Sequence, residues 1–473
     1  MQRFIYFFLI AGLTFSCGEL VEGFNEDPNN PTETSYQYIL TGAEVGNIIL
    51  QTGETARRAG IFSGYYEGLD RQHLGFYNYS LTTSDFNGLW FDAYVDVLRN
   101  ALEAEKAAQA EGVGPVTTGI TQVLQAYGFG TATALYGDVP FSEAGQIEIE
   151  NPIYEDQTFI YDQVQNLLDE AISNLQAGSG RPVGGADIYL DGDPVAWTEV
   201  AYTLKARFYM HTRDYANAYA AALNGVSSIG TALYAPHGTG LEESNLTYQF
   251  FAIAVRRADV KTADFFTSMV QSDAMASPDF SRYRGNAKTN ETGRFNFYFT
   301  TNSIGVQPNT IDGFAAQTAS APLVSYEENL LILAEAGFRT QGFAEGLTRL
   351  NAFRSFMSTG GYLTNVDLAQ VQYDDYVPAD FANGGMENPD GLSQDNALLR
   401  EILEERYVTF YGQIEGFNDM RRTEQETNVR VPIMPNTGGQ LPQRFLYPQT
   451  ELDRNANVPN PIPNFFDPTD VNS

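Results

Sequence analysis

Apolar residues recur at helical spacing along most of this chain from Tyr36 onward, and the clearest helices come in pairs. Between Asn87 and Ala110, one broad face carries Leu89, Trp90, Ala93, Tyr94, Val97, Leu98, Ala101 and Leu102. A Gly-Val-Gly-Pro break at Gly112 to Pro115 then separates this helix from a second that reaches about Leu135, so the spacing predicts a helical hairpin near 87–135. The same pattern returns near 193–229, where Asp193-Pro194 is a helix start with proline early in the first turn. Trp197, Val200, Ala201, Leu204, Phe208 and Tyr209 face one way there, followed by Tyr215, Ala218, Tyr219, Ala222 and Leu223. A third pair spans 327–356, with Leu330, Leu331, Leu333, Ala334, Ala336 and Phe338 in its first helix and Ala344, Leu347, Leu350 and Phe353 in its second. Small residues at crossing points with large ones between them suit tetratricopeptide-like units, each burying its apolar face against a neighbour.

Long irregular stretches rich in Gly, Asn, Thr and aromatic residues separate the pairs, at 137–154, 177–192 and 230–322. Loops of that length inside a compact chain carry function more often than not. From Val431 the many prolines and asparagines predict an extended strap over the helical body. The expected fold is mainly α, with tetratricopeptide-like helical hairpins, long irregular loops and a few short β-hairpins, forming one domain over 36–473.

The N-terminus follows a different pattern. Arg3 precedes a short apolar run, Phe4 to Leu13, which is too short for a bilayer span of about twenty residues and has the proportions of a secretory signal. Thr14-Phe15-Ser16-Cys17 is a loose lipobox, with Phe where a small residue is usual. Residues 1–16 are therefore expected to be a signal peptide and Cys17, the single cysteine, a lipidated mature N-terminus; the alternative is an ordinary signal with an incidental cysteine. Acyl chains, at about 0.8 kcal/mol per buried methylene, would make the lipidated form a stable membrane anchor. Residues 17–35, with their Asn25-Glu26-Asp27-Pro28-Asn29-Asn30-Pro31-Thr32 core, are expected to be a tether. One cysteine permits no internal disulfide, so a large core must hold the fold, and 43% hydrophobic residues suffice for one.

Charge narrows the partners. With 59 acidic and 27 basic residues the formal net charge is −32, which repels phosphate backbones and argues against nucleic acid. His73, His211 and His237 are scattered, and the chain has no His-Glu-x-x-His, second cysteine or Gly-x-Ser-x-Gly elbow. The Asp191-Gly192-Asp193 turn is far short of a calcium loop and is expected to cap a helix. No metal, cofactor or catalytic residue is assigned, although a glycosidase would need only two carboxylates that sequence cannot sort.

Several separated stretches together resemble one family. They are the Asn25 to Thr32 tether, the helix with Trp90, Tyr94 and Asn100, the turn Leu135-Tyr136-Gly137-Asp138-Val139-Pro140-Phe141-Ser142-Glu143-Ala144, and Ala334-Glu335-Ala336. Glu405-Arg406, Phe417-Asn418-Asp419-Met420-Arg421-Arg422 and Arg444-Phe445-Leu446-Tyr447-Pro448-Gln449 complete the set. The chain is similar to SusD/RagB-type outer-membrane lipoproteins of Bacteroidetes. The resemblance implies a non-catalytic, lipid-anchored protein on the outer membrane facing the cell exterior, which captures an oligo- or polysaccharide and delivers it, as a lid, to a SusC-type TonB-dependent porin. A peptide-binding import component is the alternative, and a secreted glycoside hydrolase a more distant one. Glu19 and Glu22 loosely match the acidic export signal of surface lipoproteins. The signature residues themselves read as structural, with Arg421 and Arg422 expected to pair with Asp419 and Glu415.

A neutral sugar offers flat C–H faces rimmed by hydroxyls, so its site needs aromatic rings beside carboxylate, amide or guanidinium groups. Tyr65, Tyr66, Asp70, Arg71, Tyr77, Asn78, Tyr79, Asp85, Asn87 and Trp90 concentrate both, in the loop region near 60–86 and the start of the next helix. A second candidate is Tyr283-Arg284-Gly285-Asn286 with Arg294-Phe295-Asn296-Phe297-Tyr298, whose alternation equally fits an edge hairpin. These loops, 60–86 and 230–322, are the expected ligand face. Any single tyrosine among them could instead pack in the core.

Overall fold

The structure is a computed structural model that describes residues 34–146, 148–253, 257–271 and 283–473. The expected signal peptide, the expected lipidation site Cys17 and most of the expected tether lie outside the described residues.

The chain enters through α1 (Tyr36–Thr52) and α2 (Glu54–Phe62), then α3 (Arg71–Tyr77) and α4 (Asn87–Phe91). The first expected hairpin is present but interrupted. After α4 the helix passes through π-helical turns, Asp92–Arg99, before α5 (Asn100–Ala110), and returns as α6 (Pro115–Tyr136). Pro115 opens α6, where its missing N–H costs nothing, and Gly137 closes it at φ +88°, a conformation other residues resist. Periodicity did not single out α7 (Gln157–Gln176), yet α7 is the main partner of α6 and also packs on α8 (Pro194–His211). Its Ile160, Val164, Leu168, Ala171 and Leu175 are buried at helical spacing. Asp193 caps α8 by accepting from the Val195 N–H at 2.9 Å, as the sequence predicts, and α9 (Tyr215–Ala222) completes the second pair. The third pair is α12 (Tyr326–Gln341) and α13 (Phe343–Ser358), with α10 (Asp264–Val270) and α11 (Thr292–Tyr298) earlier in the long irregular region. The C-terminal part holds α14 (Gln394–Thr409), α15 (Glu415–Arg422) and α16 (Gln449–Arg454).

The strands correct one expectation. Among the described residues only β5 (Phe299–Asn302) and β6 (Gly305–Pro308) form a local hairpin. β1 (Tyr66–Gly68) pairs with β3 (Val260–Thr262), β2 (Leu233–Ala235) with β7 (Ala321–Val324), and β4 (Thr289–Asn290) with β8 (Gln372–Tyr373), all antiparallel and all joining segments far apart in sequence. These ribbons stitch the irregular regions onto the helices. Arg294 to Tyr298 is helical rather than an edge hairpin, because Arg294 turns inward to Glu405 at 2.7 Å and Glu291 at 3.4 Å.

The core runs from Leu40 to Phe465 and is rich in rings. Tyr65 stacks on Tyr407 at 4.5 Å, Phe266 on Tyr411 at 4.7 Å, and Phe62 meets Phe465 edge-on at 4.9 Å. The strap after Val431 is irregular apart from α16, and its stretch from Leu441 to Phe445, with Tyr447 and Pro448, is buried. The Phe445 N–H donates to the Leu135 carbonyl at 2.8 Å, and the Tyr447 hydroxyl to the Asp138 carbonyl at 2.7 Å, which locks the strap onto the turn after α6. Arg422 pairs with Asp419, as expected, at 2.7 Å. Arg421 departs from expectation by bonding the carbonyls of Ala134 and Gln443, at 2.8 and 3.0 Å, while Glu415 goes to His211 at 2.8 Å. Burial outweighs the opposing pull of Tyr161 and Glu415, and the Arg421 guanidinium is pushed down to about 10.

Candidate functional site

The expected ligand segment disperses on folding. Tyr65 and Tyr66 are core residues, at 0% and 3% exposure, and Tyr65 donates to the Tyr407 carbonyl at 2.6 Å. Neither can touch a ligand in this structure, which corrects that expectation. Asp70 caps α3 by accepting from the Arg71 N–H, and Arg71 grips Asp259 through Nε at 2.8 Å. Asn78 ends α3, and Asp85 accepts from Thr82 in a small capping box. The Tyr79 hydroxyl accepts from the Asn436 N–H at 2.9 Å while its ring packs on Phe62 and Phe465. Tyr77 lines a shallow groove of about 310 Å³ with Glu67 and Met434. Trp90 stacks on Tyr94 at 4.4 Å and shows only its edge to a groove of about 610 Å³.

The second candidate segment also divides. Tyr283, Arg284 and Asn286 line a polar hollow of about 370 Å³. Arg284 is buried there against Glu401 and Glu405 at 2.9 and 2.6 Å, and Asn286 donates to Glu387 and Tyr376. Those side chains are committed to structural bonds. Phe297 takes a different position.

Phe297 lies on α11 and, with Tyr234 of β2, Phe314 of the loop after β6, and Tyr362 of the loop after α13, walls a cleft of about 460 Å³. Asp312, Thr318, Ser320, Thr364 and Asn365 line it with polar groups. The rings stand at angles to one another: Phe297 meets Phe314 at 6.4 Å and 75°, and Tyr362 at 6.1 Å and 62°. Local bonds explain why the loop holds this shape. The Asn309 side chain donates to the Asn296 carbonyl at 2.8 Å and to Asp312 Oδ1 at 3.0 Å, while its Oδ1 accepts from the Ile311 N–H at 3.0 Å. The Asn365 side chain donates to the Asp312 carbonyl at 2.9 Å. Gly313 lets the loop pass the end of α11, since a Cβ there would lie 2.1 Å from the Phe297 carbonyl oxygen. Farther along, the Ala319 carbonyl accepts from the Asn245 side chain at 2.9 Å.

A smaller chamber of about 40 Å³ adjoins the cleft, sharing its rings and Ser320, and is completed by Tyr298, Pro322, Glu327, Thr409, Tyr411 and Gln413. Glu327, in the first turn of α12, is buried, and the Tyr234 hydroxyl donates to both of its oxygens at 3.1 and 3.0 Å. Burial pushes this carboxyl up to about 7, against hydrogen bonds from its own N–H, Ser325 and Tyr234. Burial likewise raises the Tyr362 phenol to about 12, and its oxygen lies 3.0 Å from the Tyr298 hydroxyl. Flat ring faces, short polar groups at the rim and a polar floor are what a sugar site needs. Among the described residues no group of three or more His, Cys, Asp or Glu side chains could hold a metal ion.

The candidate cleft draws Tyr234, Phe297, Phe314 and Ser320 from the expected ligand-face region, 230–322, but sequence reasoning did not single out Tyr234, Phe314, Glu327 or Tyr362. No local pattern marks them, because they converge only when β2 pairs with β7 beside the first turn of α12.

A family model, SusD-like, described as starch-binding and associating with the outer membrane, matches residues 28–448 of the chain. No curated protein matches it. Among solved structures, a SusD/RagB family protein from Bacteroides thetaiotaomicron is 20% identical at a TM-score of 0.65, over 90% of this chain and 95% of its own. A SusD homolog from Bacteroides fragilis is 18% identical at 0.64, over 93% and 100%. A chitin-binding SusD homolog from Flavobacterium johnsoniae is 18% identical at 0.62, over 88% and 94%. At these identities the likeness establishes a common fold.

Proposed function

Since the chain belongs to the SusD-like family of starch-binding proteins that associate with the outer membrane, we propose that it is a non-catalytic nutrient receptor that holds a glycan in the Tyr234–Phe297–Phe314–Tyr362 cleft. The observation that carries this reading is the cleft itself, with four rings and a polar rim supported by loops that the rest of the fold holds in place. Stacking of a pyranose C–H face on these rings supplies affinity, and the rim groups supply direction. The starch named in the family description and the chitin bound by one protein of like fold are both chains of neutral pyranoses, which such a cleft suits.

The wider role follows from the family resemblance. Cys17 would carry the lipid that anchors the protein on the outer membrane, and a SusC-type TonB-dependent porin would receive the ligand beneath it. Among the described residues no helix is long and apolar enough to cross a membrane.

The test is calorimetric titration of the chain beginning after Cys17 against starch, chitin and other neutral and acidic glycans, together with a mixed peptide digest. Saturable glycan binding that Tyr362→Ala weakens roughly tenfold or more establishes the reading. Peptide binding alone, or hydrolysis of a bound glycan removed by one carboxylate substitution, replaces it.

A further inference from the structure

Among the described residues Glu327 has no ionic partner. Its neighbour Glu328 is ion paired with Arg207 at 2.6 Å, whereas among the described residues no cation lies within ion-pair distance of Glu327. Its hydrogen-bond donors, Tyr234, Ser325 and its own N–H, are all neutral. A buried carboxyl without a cation is held at the expense of stability, and in the floor of a cleft that marks it as functional. Stabilisation of the α12 N-terminus does not require it, because Glu328 occupies the same turn with its charge compensated.

Resting on the glycan reading of the cleft, we propose that the Glu327 chamber receives an ammonium group carried on a sugar ring, so that the site's ligand class is an amino-bearing glycan. The chamber, about 40 Å³, admits a group as small as an ammonium, and the Glu327 carboxyl on its wall favours that group over a neutral acetamido. It adjoins the outer cleft and shares the walls Tyr234, Phe297, Phe314, Ser320 and Tyr362 with it. A pyranose stacked in the outer cleft therefore presents a ring substituent to Glu327. An ammonium donates to the carboxylate while Tyr234 continues to hold it, and a charge-assisted bond in a dry site is stronger than a neutral one. The net charge of −32 draws cationic chains toward the protein. Rings and short polar side chains line the cleft, which favours a sugar amine over a peptide amine as occupant.

Proton balance supplies a signature. Before binding at pH 6 the Glu327 carboxyl is mostly protonated, given its value of about 7. An amine comparable to an α-amino group, near pKa of about 8, is protonated at that pH. Forming the ion pair releases the carboxyl proton to buffer, while the ammonium keeps its own.

The experiment is titration calorimetry at pH 6 in two buffers of different ionisation enthalpy, comparing glucosamine and N-acetylglucosamine oligomers of equal length. The free-amine oligomer is expected to bind roughly tenfold or more tighter and to release close to one proton per site. Glu327→Gln should abolish both the preference and the release. The proton count on the unsubstituted chain needs no variant, and a thermal melt checks that Glu327→Gln folds. Equal or tighter binding of the acetylated oligomer, or a preference that Glu327→Gln retains, overturns the proposal. Tighter acetylated binding that Tyr362→Ala weakens would do so while leaving the glycan reading intact. Silence of both oligomers and of every neutral glycan would overturn both. An amine-bearing peptide that releases the proton while the oligomers fail would overturn the sugar class.

Discussion

The Arg422 guanidinium closes on the Glu335 carboxylate through both of its terminal nitrogens, at 2.6 and 2.5 Å, with both side chains buried. This pair joins α15 to the middle of α12, the helix whose first turn carries Glu327. Arg406 adds a contact to Glu335 at 3.2 Å and another to Asp419 at 2.8 Å. The signature stretches around Ala334-Glu335-Ala336, Glu405-Arg406 and Asp419-Arg422 thus meet as one buried ionic cluster.

Removing one partner of that cluster strands the others. Glu335→Gln is expected to lower stability by about 3–5 kcal/mol, because three arginines face its position. The shift in denaturant midpoint measures it. A loss below 1 kcal/mol would mean that the cluster is more hydrated than its burial indicates.

Acid should unfold the protein through the same groups. Burial opposes the charge of Glu335, yet Arg422, Arg339 and Arg406 hold it well below the ordinary carboxylate range; burial likewise opposes the charge of Glu415, which His211 and Arg207 hold down to about 2. A depressed carboxylate contributes stability that is fully present above its unfolded value, near 4.5, and is lost as pH falls toward the folded value. Thermal melts from pH 6 to pH 3 should show a steep fall below about pH 4.5, shallower in Glu335→Gln.

Glu44 should behave in the opposite way. Burial and the nearby charge of Asp187 raise it well above its ordinary value, so it favours folding while protonated, and its contribution falls as pH rises from 4.5. In Glu44→Gln the amide keeps an acceptor for the Ile188 N–H, now 2.8 Å from Glu44, and supplies a permanent donor toward Asp187. This variant should match or exceed the native melting temperature at pH 8 and lose the difference at pH 4. Destabilisation at pH 8 would show that the carboxyl is ionised.

In the cleft, truncating a ring should cost affinity without unfolding. Phe314→Ala and Tyr362→Ala are each expected to weaken glycan binding roughly tenfold, about 1.4 kcal/mol. Titration of whichever glycan binds the native chain reads this out, and unchanged affinity in both variants would move the site elsewhere.

Gly313→Ala tests the shape of the cleft. Its Cβ would press on the Phe297 carbonyl oxygen from 2.1 Å, so the loop must shift, at a cost of about 1–3 kcal/mol, and carry Phe314 with it. Glycan affinity should fall together with the melting temperature. Retained affinity would show that Phe314 reaches the ligand from more than one loop position.

Much of the fold was legible in sequence because its cause is local. Asp193-Pro194 starts a helix, Gly137 ends one, and apolar spacing marks the hairpins whatever lies around them. α7 was passed over because its apolar face lies in a polar sequence and α6 and α8 complete its burial. The aromatic cluster from Tyr65 to Trp90 misled for a related reason. A tyrosine reads the same whether its ring stacks on Tyr407, as Tyr65 does, or walls a cleft, as Tyr362 does.

By itself the sequence determined the helical pairs, the long irregular regions, the acidic surface and the family, since periodicity, composition and ordered signatures are written along the chain. Tertiary structure alone decided the candidate cleft. Tyr234, Phe297, Phe314, Tyr362 and Glu327 belong to five separate segments, and only strand pairing, the ring core and the ionic cluster bring them together. Burial then gives Glu327 its chemistry, because a carboxyl's charge depends on the water and cations around it, which no stretch of sequence contains.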